Sequence, residues 1–282
     1  MTMIVLIPAT TPEADAAEKA FRDEVIRRRE TCWVKEPSRV ELLKELHYVA
    51  TTPQHRKSSI AIIAEANSGK SAILRKYQES YPSYERKDRT IVPSILIDLS
   101  TLKRVEDLSI ALLKKIGAID PESGNHTQRL ERFTALAGQV GLGLVMLDEF
   151  HEVADTSGKG KPFLKCIKSL MNEGIAVVPA GVDEVRQVFR GSGEFTTRFD
   201  FELGTLKPVE DEGIVLELMM HISALPLTAV PEESVKYVMC ESRGVFGHVC
   251  DLIQRTFIAH RSLTVPALTA TRKVMRALDP LP

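Results

Sequence analysis

Cysteine and tryptophan are both scarce here, with four of the first and one of the second among 282 residues. Cys32, Cys166, Cys240 and Cys250 lie far apart and form no CxxC or Cys/His ligand pattern, so no zinc ribbon or disulfide framework is readable. A positive excess is missing too. The 37 Lys and Arg are balanced by 38 Asp and Glu, a formal net charge of −1, and no global field draws nucleic acid to the whole surface. Any such contact must come from a local basic patch. No apolar run approaches the roughly 18–20 residues that cross a membrane. The apolar start has no basic residue before it and no cleavage site, so reduced thiols in a cytoplasmic protein are the expectation. Repeats and low-complexity tracts are also absent. What remains is an ordinary globular composition, 44% hydrophobic and 27% charged, in a chain long enough for one large or two modest domains.

Apolar patterning lays out the order of elements. Residues 1–35 read as an N-terminal arm outside the core, charge-rich from 12 onward and helical around 16–29. A helix follows over 38–50, with Ser38 as N-cap and Val40, Leu43 and Leu46 turned inward. The β-branched run 59–64, a loop of small residues and a helix over 70–80 make half of a βαβ unit. Strands at 94–99, 142–147, 174–180 and 199–203 alternate with helices at 105–116, 126–140 and 162–171. The last helix places Phe163, Leu164, Ile167, Leu170 and Met171 on one side. Strands that are apolar along their whole length belong to a parallel sheet covered on both faces. The α/β domain therefore spans 36–207. Beyond Pro208 the strands stop, and 210–224, 231–242 and 247–260 read as three helices of an all-α domain over 208–282.

Two motifs carry chemistry. The loop Ala64-Glu65-Ala66-Asn67-Ser68-Gly69-Lys70-Ser71 fits the phosphate-binding pattern GxxxxGK[ST] except that Ala64 stands at the first glycine. Backbone N–H groups of Ala66, Asn67, Ser68 and Gly69, with the helix start behind them, form a nest for phosphate oxygens. Lys70 is placed to reach the β- and γ-phosphates of ATP, and the Ser71 hydroxyl to help hold Mg²⁺. The second motif is the apolar strand ending in Asp148 and Glu149, 78 residues after Lys70. Ligands sit at the C-terminal ends of strands in such sheets. There Asp148 can hold the metal and Glu149 can polarise the attacking water.

Basic residues leave more readings open. Arg198 precedes the last strand and is either an arginine finger for a neighbouring subunit or a surface ion pair; Arg190 is a second candidate. Lys103 and Arg104 follow the strand 94–99 and could contact phosphate backbone or simply be solvated. The same holds for Lys159, Lys161, Lys165 and Lys168, and for Arg27-Arg28-Arg29 in the arm. Trp33, beside that run, reads as a docking contact of the arm.

Together these residues resemble the AAA+ ATPases of the TniB/TnsC family, regulators of bacterial DNA transposition, over about 33–277. The helix leading through Pro53-Gln54-His55-Arg56 to the first strand, the ANSGKS loop, LVMLDEFHEV with its trailing His151, and the strand to Gly181 all carry the resemblance. So do the 195–199 stretch, Leu225-Pro226-Leu227 and Ser242-Arg243-Gly244-Val245-Phe246-Gly247-His248. It implies a P-loop α/β domain with a small helical lid, ATP and Mg²⁺ at subunit interfaces, and a ring or filament on double-stranded DNA. It further implies a link between a target-selection protein and a transposase, a finger role for Arg198, and DNA contact by Lys103 and Arg104. Ala64, the lack of a polar sensor before Asp183, and a lid offering only Arg243 or His248 point to slow turnover. Relatives of the family include helicase loaders and replication initiators, so that role is one alternative and a nucleotide-binding scaffold with little turnover another. The few residues after His260 are short for a winged helix.

Overall fold

A computed structural model describes residues 12–53, 58–153, 160–190, 195 and 197–278. The chain divides into two compact units, Glu36–Lys207, and Met1–Lys35 with Pro208–Pro282. Helix α1 (Pro12–Thr31) belongs to the latter.

The α/β unit opens with α2 (Pro37–Thr51), capped by Glu36, whose carboxylate accepts from the N–H groups of Ser38 and Arg39. Ser38 is therefore not the N-cap expected from sequence. Pro37 occupies the first turn, where its missing N–H costs nothing. The buried stripe is Arg39, Leu42, Leu46 and Val49, while Val40 and Leu43 are only half-buried. Hydropathy alone misplaces this face because one of its members is an arginine.

Strands β1 (Ser59–Ile60) and β2 (Ile62–Ile63) form one line interrupted at Ala61, leading through the motif loop into α3 (Lys70–Ser80). A hairpin absent from the sequence reading follows, β3 (Tyr84–Glu85) against β4 (Thr90–Ile91). Two-residue strands around a charged turn leave no apolar period to detect. The order continues with β5 (Ser94–Asp98), α4 (Val105–Lys115), α5 (His126–Gln139), β6 (Leu144–Asp148), α6 (Gly160–Asn172), β7 (Ala176–Gly181), α7 (Glu184–Arg190) and β8 (Phe199–Asp200).

Every pairing within the main sheet is parallel: β2, β7, β6 and β5 lie side by side, and β1 pairs with β8. The Ser59–Ala64 segment joins both sets, since Ala61 N–H bonds Asp200 O, Ile63 N–H bonds Gly204 O and Ala64 N–H bonds Gly181 O. All residues of β6 and β7 are buried, as uniformly apolar strands covered on both faces must be. The expected stripe of α6 is buried in full, Phe163, Leu164, Ile167, Leu170 and Met171 all joining this core. Because the strands are parallel, their C-terminal ends share one edge: the motif loop, Asp98, Asp148 and Gly181 all emerge there.

The second unit contains α1, α8 (Glu212–Ser223), α9 (Glu232–Ser242), α10 (Phe246–His260) and α11 (Val265–Leu278). It has one helix more than the three expected, α11, which the sequence reading left out. The N-terminal helix is not an arm outside the core: Val25 and Val34 are buried among Leu218, Met219, Ile222 and Ile253. Arg28 and Arg29 of its basic run are engaged in that packing, while Arg27 is exposed and pairs with Glu24. Arg28 donates to Ser223 O at 3.1 Å, and Arg29 meets Asp251 Oδ1 at 2.6 Å and Gln254 Oε1 at 2.8 Å. Among the described residues no helix is long and apolar enough to cross a membrane.

Candidate nucleotide-binding site

The loop between β2 and α3 has the backbone of an anion nest. Asn67 has φ 60° and Gly69 φ 90°, left-handed positions that turn successive N–H groups to one side. Gly69 is required twice over, by its φ and because a Cβ there would come within 2.7 Å of Arg39 Nη1. At the start of α3, Lys70 is only 6% exposed. Its Nζ donates to Ala64 O at 3.0 Å and Glu65 O at 2.9 Å, arching over the loop. Burial pulls the Lys70 ammonium below its ordinary range, and the charges of Glu149 and Asp148 partly restore it.

Strand register brings the carboxylates to the same place. Ile62 is level with Ala180 and Leu147 with Pro179, so Asp148 lies two strands over from β2, with β7 between them, about 10 Å across the sheet. Asp148 is 7% exposed, and its Oδ1 accepts the Glu149 N–H at 3.0 Å. Glu149 has φ 53°, a left-handed conformation that costs a non-glycine residue about 1–3 kcal/mol and clusters at functional sites. The turn lifts the Glu149 side chain out of the strand, leaving it 39% exposed, with Oε2 3.3 Å from His151 Nδ1. His151 also lies 3.8 Å from Glu152 and against the backbone of Gly181, where a Cβ would meet it at 3.3–3.5 Å.

These residues suit a nucleoside triphosphate with a divalent cation. The Ser68 hydroxyl is buried and finds no hydrogen-bond partner among the described residues. With it stand a left-handed nest, a buried lysine and, two strands over, a buried aspartate, a set of donors and acceptors that suits phosphate with a divalent cation. No cluster of three or more His, Cys, Asp or Glu able to hold a metal by itself occurs among the described residues.

The family model described as "Bacterial TniB protein" matches residues 25–206, well over half of the chain. The chain belongs to the TniB family. Its fold is that of the AAA+ P-loop ATPases. The TniB chain is similar to a Walker-type ATPase of Pyrococcus abyssi, at 17% identity and TM-score 0.64, covering 89% of this chain and 74% of that one. It is similar to the ORC1 protein of Aeropyrum pernix, solved in complex with DNA, at 14% identity and TM-score 0.62 over 93% of this chain and 72% of that one. Domain III of the Thermotoga maritima replication initiation protein DnaA aligns at 14% identity and TM-score 0.55, covering 89% of this chain and 96% of that domain. No curated protein matches it.

The other candidate residues of this TniB chain lie apart from the loop. Arg198 sits beside Ser59, whose N–H bonds its carbonyl, at the N-terminal edge of the sheet. Five strand positions separate that point from Ala64, about 16 Å. There Arg198 Nη2 donates to Asn172 Oδ1 at 3.0 Å, while its Nη1 is shielded from water with no partner among the described residues. Arg190 ends α7, and its side chain is outside the described set. Lys103 and Arg104 are exposed between β5 and α4, where the Asp107 carboxylate accepts both backbone N–H groups and lies 3.6 Å from Arg104 Nη2. Asp183 is held by Arg186 at 3.0 Å. Lys161 and Lys165 are exposed on α6. Lys159, Gln54, His55, Arg56, Gly193, Glu194 and Thr196 lie outside the described residues. Sequence reading missed Arg39, which no loop motif includes.

Proposed function

We propose that this chain binds ATP with Mg²⁺, hydrolyses it slowly, and in its ATP-bound form assembles on duplex DNA to link target-site selection to a transposase. The observation that carries the reading is the convergence of buried Lys70, buried Asp148 and strained Glu149 at one edge of a parallel sheet, in a member of the TniB family. Ala66, Asn67, Ser68 and Gly69 offer N–H groups to the phosphates, and Lys70 offers its ammonium. Ser71 and Asp148 would hold Mg²⁺, which would supply charge neutralisation for the phosphates. Glu149 orients and polarises the attacking water. Ala64 in place of the first motif glycine supports slow turnover. Arg198, placed away from its own chain's loop, serves the site of a neighbouring copy in a ring or filament. Lys103 and Arg104 meet the DNA backbone while Asp107 keeps its cap on α4; Arg104 gives up only its exposed 3.6 Å ion pair, at little cost because such pairs are weak. The setting is cytoplasmic.

The likeness to the initiator folds favours one competing reading, a replication-type loader. Turnover measured with and without duplex DNA, and with and without EDTA, tests the ATPase reading. The expected result is Mg²⁺-dependent hydrolysis that rises with duplex. No hydrolysis and no nucleotide-dependent DNA binding under any condition would overturn it. Stimulation of a replicative helicase's loading rather than of transposase activity would move the assignment to the loader.

A further inference from the structure

Arg39 is a guanidinium left 3% exposed within the buried stripe of α2. A charge taken so far from water is costly unless its donors are used, so such a residue needs a reason in its contacts. Its Nη2 donates to the carbonyl of Ser68 at 2.7 Å, a buried bond spanning 29 residues from α2 to the phosphate loop. Its Nη1 fills the space that a Cβ on Gly69 would take. On the other side Glu36 Oε2, fixed by capping α2, lies 3.8 Å from Arg39 Nε and offsets the charge. The chain Glu36–Arg39–Ser68 thus ties the start of the α/β unit to the middle of the nest.

We propose that Arg39 is a positioning residue of the nucleotide site, holding the Ser68–Gly69 peptide so that the loop is preformed for phosphate. A trans peptide points its C=O and N–H in opposite directions. Anchoring the Ser68 carbonyl on Arg39 therefore sets the direction of the Gly69 N–H, one of the donors a phosphate oxygen would take. The carbonyl itself is turned away from the anion it would repel. The same positive charge behind the loop favours the anion without touching it. Left-handed turns at Asn67 and Gly69 are unfavourable for most sequences, and a charge-assisted bond at the residue between them keeps the turn from relaxing. The inference rests on the ATP-binding reading and adds a residue outside the loop motif to it.

The test is equilibrium titration of fluorescent ADP and ATP analogues against the parent, Lys70→Ala, Arg39→Met, Arg39→Lys and Arg39→Ala, with folding checked by circular dichroism. Arg39→Met, which keeps the volume and removes the donors, should bind both nucleotides at least about tenfold more weakly, as expected for losing one charge-assisted bond. Arg39→Lys should recover part of the loss. Millimolar guanidinium should restore affinity to Arg39→Ala while leaving the parent unchanged, which a packing role could not produce. A parent that binds nucleotide while Arg39→Met binds equally well overturns this inference alone. So does a loss shared equally by the Met and Lys variants that guanidinium fails to rescue. A parent chain that binds no nucleotide overturns the ATP reading and this inference with it.

Discussion

Lys70 is an ammonium held in a poor solvent, and that shapes how stability and binding respond to it. Burial lowers its pKa from 10.5. Over the pH window just below that value the unfolded chain therefore holds more protons than the folded one, and stability contributed by this residue rises with pH. Below the folded-state pKa both states are charged, and the desolvation cost is fully present. Lys70→Met should then leave the nucleotide-free melting temperature no lower than that of the parent and flatten its alkaline rise. It should also remove the ATP-induced shift, worth about 2.7 kcal/mol at a nucleotide concentration of 100 Kd. A calorimetric melt with and without Mg·ATP across pH 7–10 checks all three, and an unchanged ATP shift would show that Lys70 does not bind the nucleotide. Glu149 sits beside it with a different task. Glu149→Gln should keep nucleotide affinity and lower turnover by about 100-fold or more, because a carboxamide cannot polarise water as a carboxylate does. Hydrolysis at the parent rate would remove Glu149 from the proposed role.

Elements decide which residues can meet. Parallel strands send β2, β5, β6 and β7 to one edge, so the loop, Asp148 and Glu149 come together although 78 residues separate Lys70 from Asp148. The same geometry carries Arg198 to the opposite edge, hydrogen-bonded to the last residue of α6. Arg198→Ala should therefore lower turnover without lowering nucleotide affinity. Mixing it with Lys70→Ala should restore part of the activity, since some interfaces then pair an intact site with an intact Arg198. Steady-state turnover over a range of mixing ratios is the measurement, and no recovery at any ratio would reduce Arg198 to a structural bond with Asn172. The main-sheet strands were legible along the chain because apolar runs report burial directly, as Leu144–Leu147 of β6 do, while their order in the sheet was not read. The loop and the carboxylates at the end of β6 were legible as a pattern, since GKS and an apolar strand ending in Asp-Glu are readable without structure. Helix α2 was misread by its face, since Arg39 interrupts an otherwise apolar stripe and hydropathy assigns a charge to water. The β3–β4 hairpin had no period to read. Helix α1 was read as detached because its mean polarity hides the few residues, Val25 among them, that it buries.

At the scale of the whole molecule, a net charge of −1 means that the proposed DNA binding has to come from a local basic patch, and assembly is the proposed way to strengthen it. Each subunit offers Lys103 and Arg104, with Asp107 competing for Arg104, so a single copy should bind duplex weakly. Repetition along a ring or filament multiplies that weak contact, and nucleotide at the interfaces would then switch the whole array. Phosphate contacts act by releasing counterions, so affinity should fall steeply with salt and show little sequence preference. Lys103→Ala combined with Arg104→Ala should reduce the log–log salt slope by about 2 per subunit and leave nucleotide binding intact. Unchanged affinity and slope in that double variant would place the DNA contact elsewhere, with the exposed Lys161 and Lys165 of α6 next in line. The most direct test of the central claim is duplex-DNA binding by fluorescence anisotropy, across a salt series, with Mg·ATP, with Mg·ADP and without nucleotide. An ATP-driven assembly predicts tight, cooperative, salt-sensitive binding with ATP and weak binding in the other two states; equal affinity in all three would contradict it.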